Sequence, residues 1–276
     1  MRTGRRRAPS TCGEVAHTVT LPDYPSGFLP ALAFVVAIAG IGKGAFGQGT
    51  AGLAVPLLAM FVAPAQAAGI MLPLLCLMDI FGVHAYKRSW SRADVTALLP
   101  GAFAGIAVGG LVFGALSPDA VRLVIGVISV VFALNAWFRF TERIARFLAR
   151  TEGPPGRLAG AAWGAMSGFT STLAHAGGPP YTIYMLARRA DKTTFVATSA
   201  VFFLAVNYIK LVPYWLLGQL NVGNLTTALV FAPLVPLAVW FGVWLHRRIP
   251  QAAFMQVTYM LLLVTGLKLV YDAFTV

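Results

Sequence analysis

Acidic residues are scarce in this chain. It has nine Asp and Glu in 276 positions, against 21 Lys and Arg. Charged residues of both signs make up only 11% of it, where soluble domains carry about 25%. So little charge cannot cover a water-facing surface, which excludes an ordinary soluble globular protein. Cysteine is almost missing too. Cys12 and Cys76 stand alone, so there is no disulfide framework and no paired spacing for a metal. No nucleotide-binding motif and no nucleophile motif is present, and no cofactor is implied. No small-residue cleavage site follows the first apolar run, so no signal peptide is read there.

What the chain does have is hydrophobic length. Hydrophobic residues make up 58% of it, and several runs reach the roughly 20 residues that cross a bilayer core. The expected class is an all-α polytopic membrane protein, with the lipid bilayer as its first partner. Apolar segments fall at 28–41, 51–63, 66–86, 94–116, 119–138, 158–174, 179–187, 193–217, 224–245 and 251–274. The net charge of +12 does not imply nucleic acid, because its placement is that of membrane loops. Lys and Arg gather in "YKRSWSR" at 86–92, in 139–157, in "RRADK" at 188–192 and in "HRR" at 246–248. The connectors at 64–65, 117–118 and 218–223 hold no Lys or Arg. Alternation puts the basic loops on one side, the cytoplasm by the positive-inside rule, and both termini outside. Arg2, Arg5, Arg6 and Arg7 in the N-terminal tail are the one group that conflicts with this orientation.

The segments divide into a polar tail (1–27), a first membrane repeat (28–138), a basic cytoplasmic connector (139–157) and a second membrane repeat (158–276). Each half opens with an apolar run that ends in a Gly-rich interruption. The first is "GIGKGAFGQGTAG", Gly40 to Gly52, and the second is "GFTSTLAHAGGPP", Gly168 to Pro180. A segment too short to span alone follows each, and then three longer runs. Five segments per half is an odd number, so the second half should enter from the opposite side. The expected fold is two inverted-topology repeats, each with a broken or re-entrant helix pair.

Broken backbone inside a membrane is tolerated only where protein or a water-filled cavity satisfies it. Two matched breaks point to one shared site. Lys43, Gln48 and Thr50 lie in the first; Ser171, Thr172, His175, Gly177 and Gly178 lie in the second. Neither stretch holds an acidic residue, so a small anion is the expected substrate, bound by these side chains and by the starts of the short helices near Thr50 and Pro179. Asn207 and Lys210, three apart in "NYIKLVPYW", share a helix face and join the candidate set. Asp79 is the only acidic residue deep in an apolar run and is the candidate proton carrier. Blander readings compete with each. The glycines could be close-packing surfaces, Lys43 could snorkel to the membrane face, and Asp79 could pair with a basic residue and only hold helices together. Lys268 and Asp272, four apart, read as a local ion pair.

Three stretches carry a family resemblance. They are "GIGKGAFGQGTAGLAVPLLAMFVAPAQAAG" in the first half, and "GFTSTLAHAGGPPYTIYML" followed by "NYIKLVPYWLLGQL" in the second. They resemble the paired signatures of the TauE/SafE sulfite exporter family, over roughly 28–274. The resemblance implies a multi-pass permease of the bacterial inner membrane for sulfite, an organosulfonate or a related organic acid. An intramembrane enzyme using His175 with Asp79, and a membrane scaffold without transport, are the alternatives. A homodimer is left open.

Overall fold

The structure, a computed structural model, describes residues 21–47, 51–151, 155–246, 248 and 251–275. The described residues form twelve α-helices and one short 3-10 turn. Five helices are long and apolar enough to cross a bilayer, or six if one bent pair counts as a span.

The first half starts with α1 (Phe28–Phe46), the 3-10 turn at Ala51–Leu53 and α2 (Ala54–Leu58). α1 runs on through "GIGKG", so the first interruption is much shorter than 40–52. It begins at Gly47, in the left-handed region at φ 84. The pair then doubles back. A Cβ built on Gly27, just before α1, would stand 3.3 Å from Phe61 Cε1, just beyond α2. Three long helices follow: α3 (Pro64–Tyr86), α4 (Arg92–Ala115) and α5 (Pro118–Phe138). Ser91 and Ser117 start the last two by accepting hydrogen bonds from the N–H groups of Asp94 and Ala120, which satisfies donors that a helix start leaves free.

The connector at 139–157 is not simply a polar link. It contains α6 (Phe140–Thr151). Asn135 fixes the turn into it, accepting from Thr141 N–H and donating to Thr141 Oγ1, both at 2.8 Å. Ala145 and Leu148 then pack on the second half, which lets a charged segment fold as a helix.

The second half also opens with a long helix followed by a short one. α7 (Arg157–Ala174) ends on His175, left-handed at φ 52, and α8 (Gly178–Ala187) follows at once. The second break is therefore three residues, 175–177, and Ser171 and Thr172 are helical. α9 (Lys192–Leu216) starts on Asp191, whose carboxylate accepts from Thr193 and Thr194 N–H at 3.0 Å. The run 224–245 is two helices, α10 (Val222–Phe231) and α11 (Leu234–Leu245), bent by 49°. Pro233 stands at the bend, and a proline cannot donate the hydrogen bond that would continue α10. α12 (Gln251–Thr275) closes the chain.

The helices pair across the halves: α4 on α7, α1 on α11, α5 on α12 and α3 on α9. Small residues bring the backbones together, as in other membrane bundles. A Cβ at Gly164 would lie 2.0 Å from the Leu98 carbonyl oxygen, and one at Gly44 2.3 Å from that of Val239. For the first Gly-rich stretch, close packing is thus what Gly40 and Gly44 do.

Candidate functional site

Two adjoining groups of buried polar residues, joined through α3 and α9, hold most of the expected site residues. In one, Lys43 near the end of α1 makes a buried ion pair with Asp79 of α3. Asn207 of α9 donates to the other Asp79 oxygen at 2.6 Å. In the other group, Lys210 sits one helical turn along α9 from Asn207. Its Nζ donates to Ser171 O at 3.0 Å and to Ser171 Oγ at 3.1 Å, and lies 2.7 Å from His175 Nδ1. With Lys210 protonated, Nδ1 is the acceptor and Nε2 carries the ring proton toward the Ala68 carbonyl, 3.1 Å away. Tyr214 closes the group. Its hydroxyl donates to Thr172 O at 2.8 Å, its ring stacks on His175, and Lys210 Nζ lies 5.9 Å from the ring centre.

Local structure explains why these side chains meet. Asn207, Lys210 and Tyr214 are spaced i, i+3, i+7 and share the buried face of α9, while Tyr208, Val212 and Trp215 face outward. The left-handed turn at His175 reverses the chain, and Ser167 Oγ donates to Gly177 O at 2.7 Å across the break. The two breaks also touch. A Cβ at Gly52 would be 3.5 Å from Ala176 Cβ.

The other expected residues are placed as follows. Thr172 Oγ1 donates to Gly168 O at 2.8 Å, within its own helix. Gly177 is enclosed, since a Cβ there would stand 2.7 Å from Ser167 O and 2.9 Å from Phe203 Cε1. Gly178 is the first residue of α8 and is buried. The next two residues, Pro179 and Pro180, have no N–H, so this helix start offers few donors. Gln48 and Thr50 lie outside the described residues. Lys43 does not reach the surface; it is buried and paired. The pairing of Asp79 with a lysine is what its blander reading expected. Asp79 and His175 hold separate partners. Lys268 and Asp272 do form a local pair at 2.8 Å. Sequence reasoning missed Tyr214 and Ser167. Tyr214 was visible as the fourth residue after Lys210 on the same face.

The electrostatics of the cluster are unusual for a membrane interior. Lys210 is 0% exposed, and among the described residues no carboxylate is within salt-bridge reach of it. Two lysines and one carboxylate leave the buried cluster with one formal positive charge. An unpaired buried charge is strongly unfavourable unless a partner arrives. Geometrically this is a polytopic helical membrane protein with broken helices around an electropositive core.

The family comparison agrees. The family model described as sulfite exporter TauE/SafE matches residues 32–269, and the chain belongs to that family. Membership implies a transporter of small anions. No curated protein and no solved structure matches the chain.

Proposed function

We propose that this chain is a secondary transporter of the bacterial inner membrane for one small anion: sulfite, an organosulfonate or a related organic acid. The observation that carries the reading is Lys210. It is fully buried, it lies within 3.1 Å of Ser171 O, Ser171 Oγ and His175 Nδ1, and among the described residues no carboxylate is within salt-bridge reach of it. A substrate oxyanion would supply that charge. Ser171 and His175 contact Lys210, Asn207 stands three residues before it on the same buried face of α9, and Lys43 pairs with the Asp79 that Asn207 also holds. A single excess charge favours a monoanion while Asp79 stays ionised.

Asp79 gives a route to proton coupling. Its carboxylate occupies Lys43 and Asn207 as an internal anion. Protonating it would release Lys43 and raise the cluster's charge by one. Proton and substrate binding would then favour each other, as linkage requires.

The same reading takes the two halves as inverted repeats. Both broken helices end on a left-handed residue, Gly47 and His175, whose N–H bonds back to Lys43 O and Ser171 O. Asp79 lies fifteen residues after Pro64 at the start of α3, and Asn207 fifteen after Lys192 at the start of α9. The α1–α11 packing mirrors α7–α4. The repeats would be 28–138 and 158–276, and each broken pair would re-enter.

Uptake into proteoliposomes tests the function. Purified protein should catalyse counterflow of radiolabelled sulfite, an alkanesulfonate or a small carboxylate. Empty liposomes and Lys210→Met protein should not. Failure to move any of the three classes would refute anion transport.

A further inference from the structure

Helix α6 is unexplained by the transport site. It lies between two helices of the bundle and divides its surface three ways. Ala145 and Leu148 face inward, packed on Ile183 and Ala187 of α8 and on Trp163 of α7. Arg143, Arg146 and Arg150 are all exposed and, with Phe147, line one shallow groove on the opposite side. At 100° per residue, Phe140, Ile144 and Phe147 form a third stripe beside the arginines. These three side chains are 46%, 42% and 64% exposed. Glu142, the acidic residue of the helix, is engaged elsewhere, 2.6 Å from Arg139. Among the described residues Arg143 and Arg150 have no salt-bridge partner.

We infer that α6 is an interfacial helix that binds an anionic phospholipid headgroup in the Arg143–Arg146–Arg150 groove. Two features select this occupant. Three exposed guanidinium groups match a phosphate, to which arginine donates in a fork; Arg146 Nε also donates to the Glu142 carbonyl at 3.3 Å, which leaves its terminal nitrogens for the ligand. The adjoining aromatic and aliphatic stripe matches acyl chains at the headgroup boundary. A soluble phosphate would use the first and leave the second in water. The position in the chain agrees, because α5 and α7 tether both ends of α6 to the bundle. The basic connector also falls on the cytoplasmic side by loop charge, where anionic lipids attract Lys and Arg. Bound lipid would also reach the transport machinery, since α6 packs on α8, the helix that follows the second break.

The test uses the purified full chain in a neutral detergent. Binding of dioctanoyl phosphatidylglycerol, dioctanoyl phosphatidylcholine and inorganic phosphate is measured by native mass spectrometry and by thermal shift. Wild type should bind phosphatidylglycerol and neither of the others. Each arginine near an anionic surface contributes about fivefold, so R143Q/R146Q/R150Q should lose roughly a hundredfold. The matching lysine triple variant should keep most of the binding, and Lys87→Gln/Arg88→Gln all of it. Equal binding by wild type and R143Q/R146Q/R150Q would overturn the inference. So would equal binding of the two lipids, or phosphate binding as tight as lipid. If the triple glutamine variant does not fold, Arg150→Gln alone should lose about fivefold, and wild-type binding should weaken as salt rises; binding unchanged in both would be equally fatal.

Discussion

Breaking the Lys43–Asp79 pair from either end should cost far more than removing it whole. The two side chains are 4% and 2% exposed, so water does not screen them. Asp79→Leu leaves Lys43 charged and buried, in a core that already holds Lys210. Lys43→Met leaves Asp79 with Asn207 as its nearest donor. Stranding one charge of a buried pair costs about 3–5 kcal/mol, whereas replacing both by apolar groups is often nearly neutral. The single variants should therefore lose roughly a hundred- to a few-thousand-fold in the folding equilibrium. Lys43→Met/Asp79→Leu should recover most of it. Steric-trapping or reversible SDS unfolding of the four proteins gives the coupling energy as a double-mutant cycle. The expected coupling is about 2 kcal/mol or more. Additive losses would mean that the pair is not the interaction drawn here.

Three further outcomes follow from the same structure. With Cys12 and Cys76 replaced by Ala, a cysteine at Val222 should react with an impermeant thiol reagent in intact cells and one at Arg150 should not; labelling at Arg150 from outside would refute the orientation. Gly164→Ala should lower the melting temperature, because its Cβ would press on the Leu98 carbonyl and overpacking costs about 1–3 kcal/mol. Gly156→Ala, with nothing within 4 Å of the new Cβ, should not; equal effects would show that α4 and α7 are not in close contact. Asp79→Asn, if it folds, should lose transport driven by a pH gradient and keep counterflow, and surviving gradient-driven transport would remove Asp79 from the coupling step.

Much of this architecture was legible because membrane sequences mark their own boundaries. Ser91, Ser117, Asp191 and Asn221 each stand at a helix start, and a mainly apolar run follows each. The location of the two breaks was legible from Gly47 and from His175–Gly177. Their extent was not. A glycine that admits a neighbouring helix, such as Gly44 against Val239, looks the same in sequence as a glycine that ends one. α6 was hidden by its arginines, which read as a solvated connector until Ala145 and Leu148 are seen on α8. The α10–α11 bend was hidden by an apolar run that continues straight past Pro233. In the site, the local pair Lys268–Asp272 could be read from spacing alone. The pairing of Lys43 with Asp79 could not, since 36 residues separate them and only the packing of α1 beside α3 selects that partner.

The uncompensated charge at Lys210 bears most of the weight, and one affinity tests it. The anion that wild type exchanges in counterflow should be titrated into purified wild-type, Lys210→Met and Lys210→Arg protein by calorimetry. A hydrogen bond to a charged group is worth about 1.5–3 kcal/mol, so Lys210→Met should bind roughly 10- to 100-fold more weakly, with Lys210→Arg in between. Wild-type affinity in folded Lys210→Met protein would contradict the account, because the buried cation would then have no part in holding the anion.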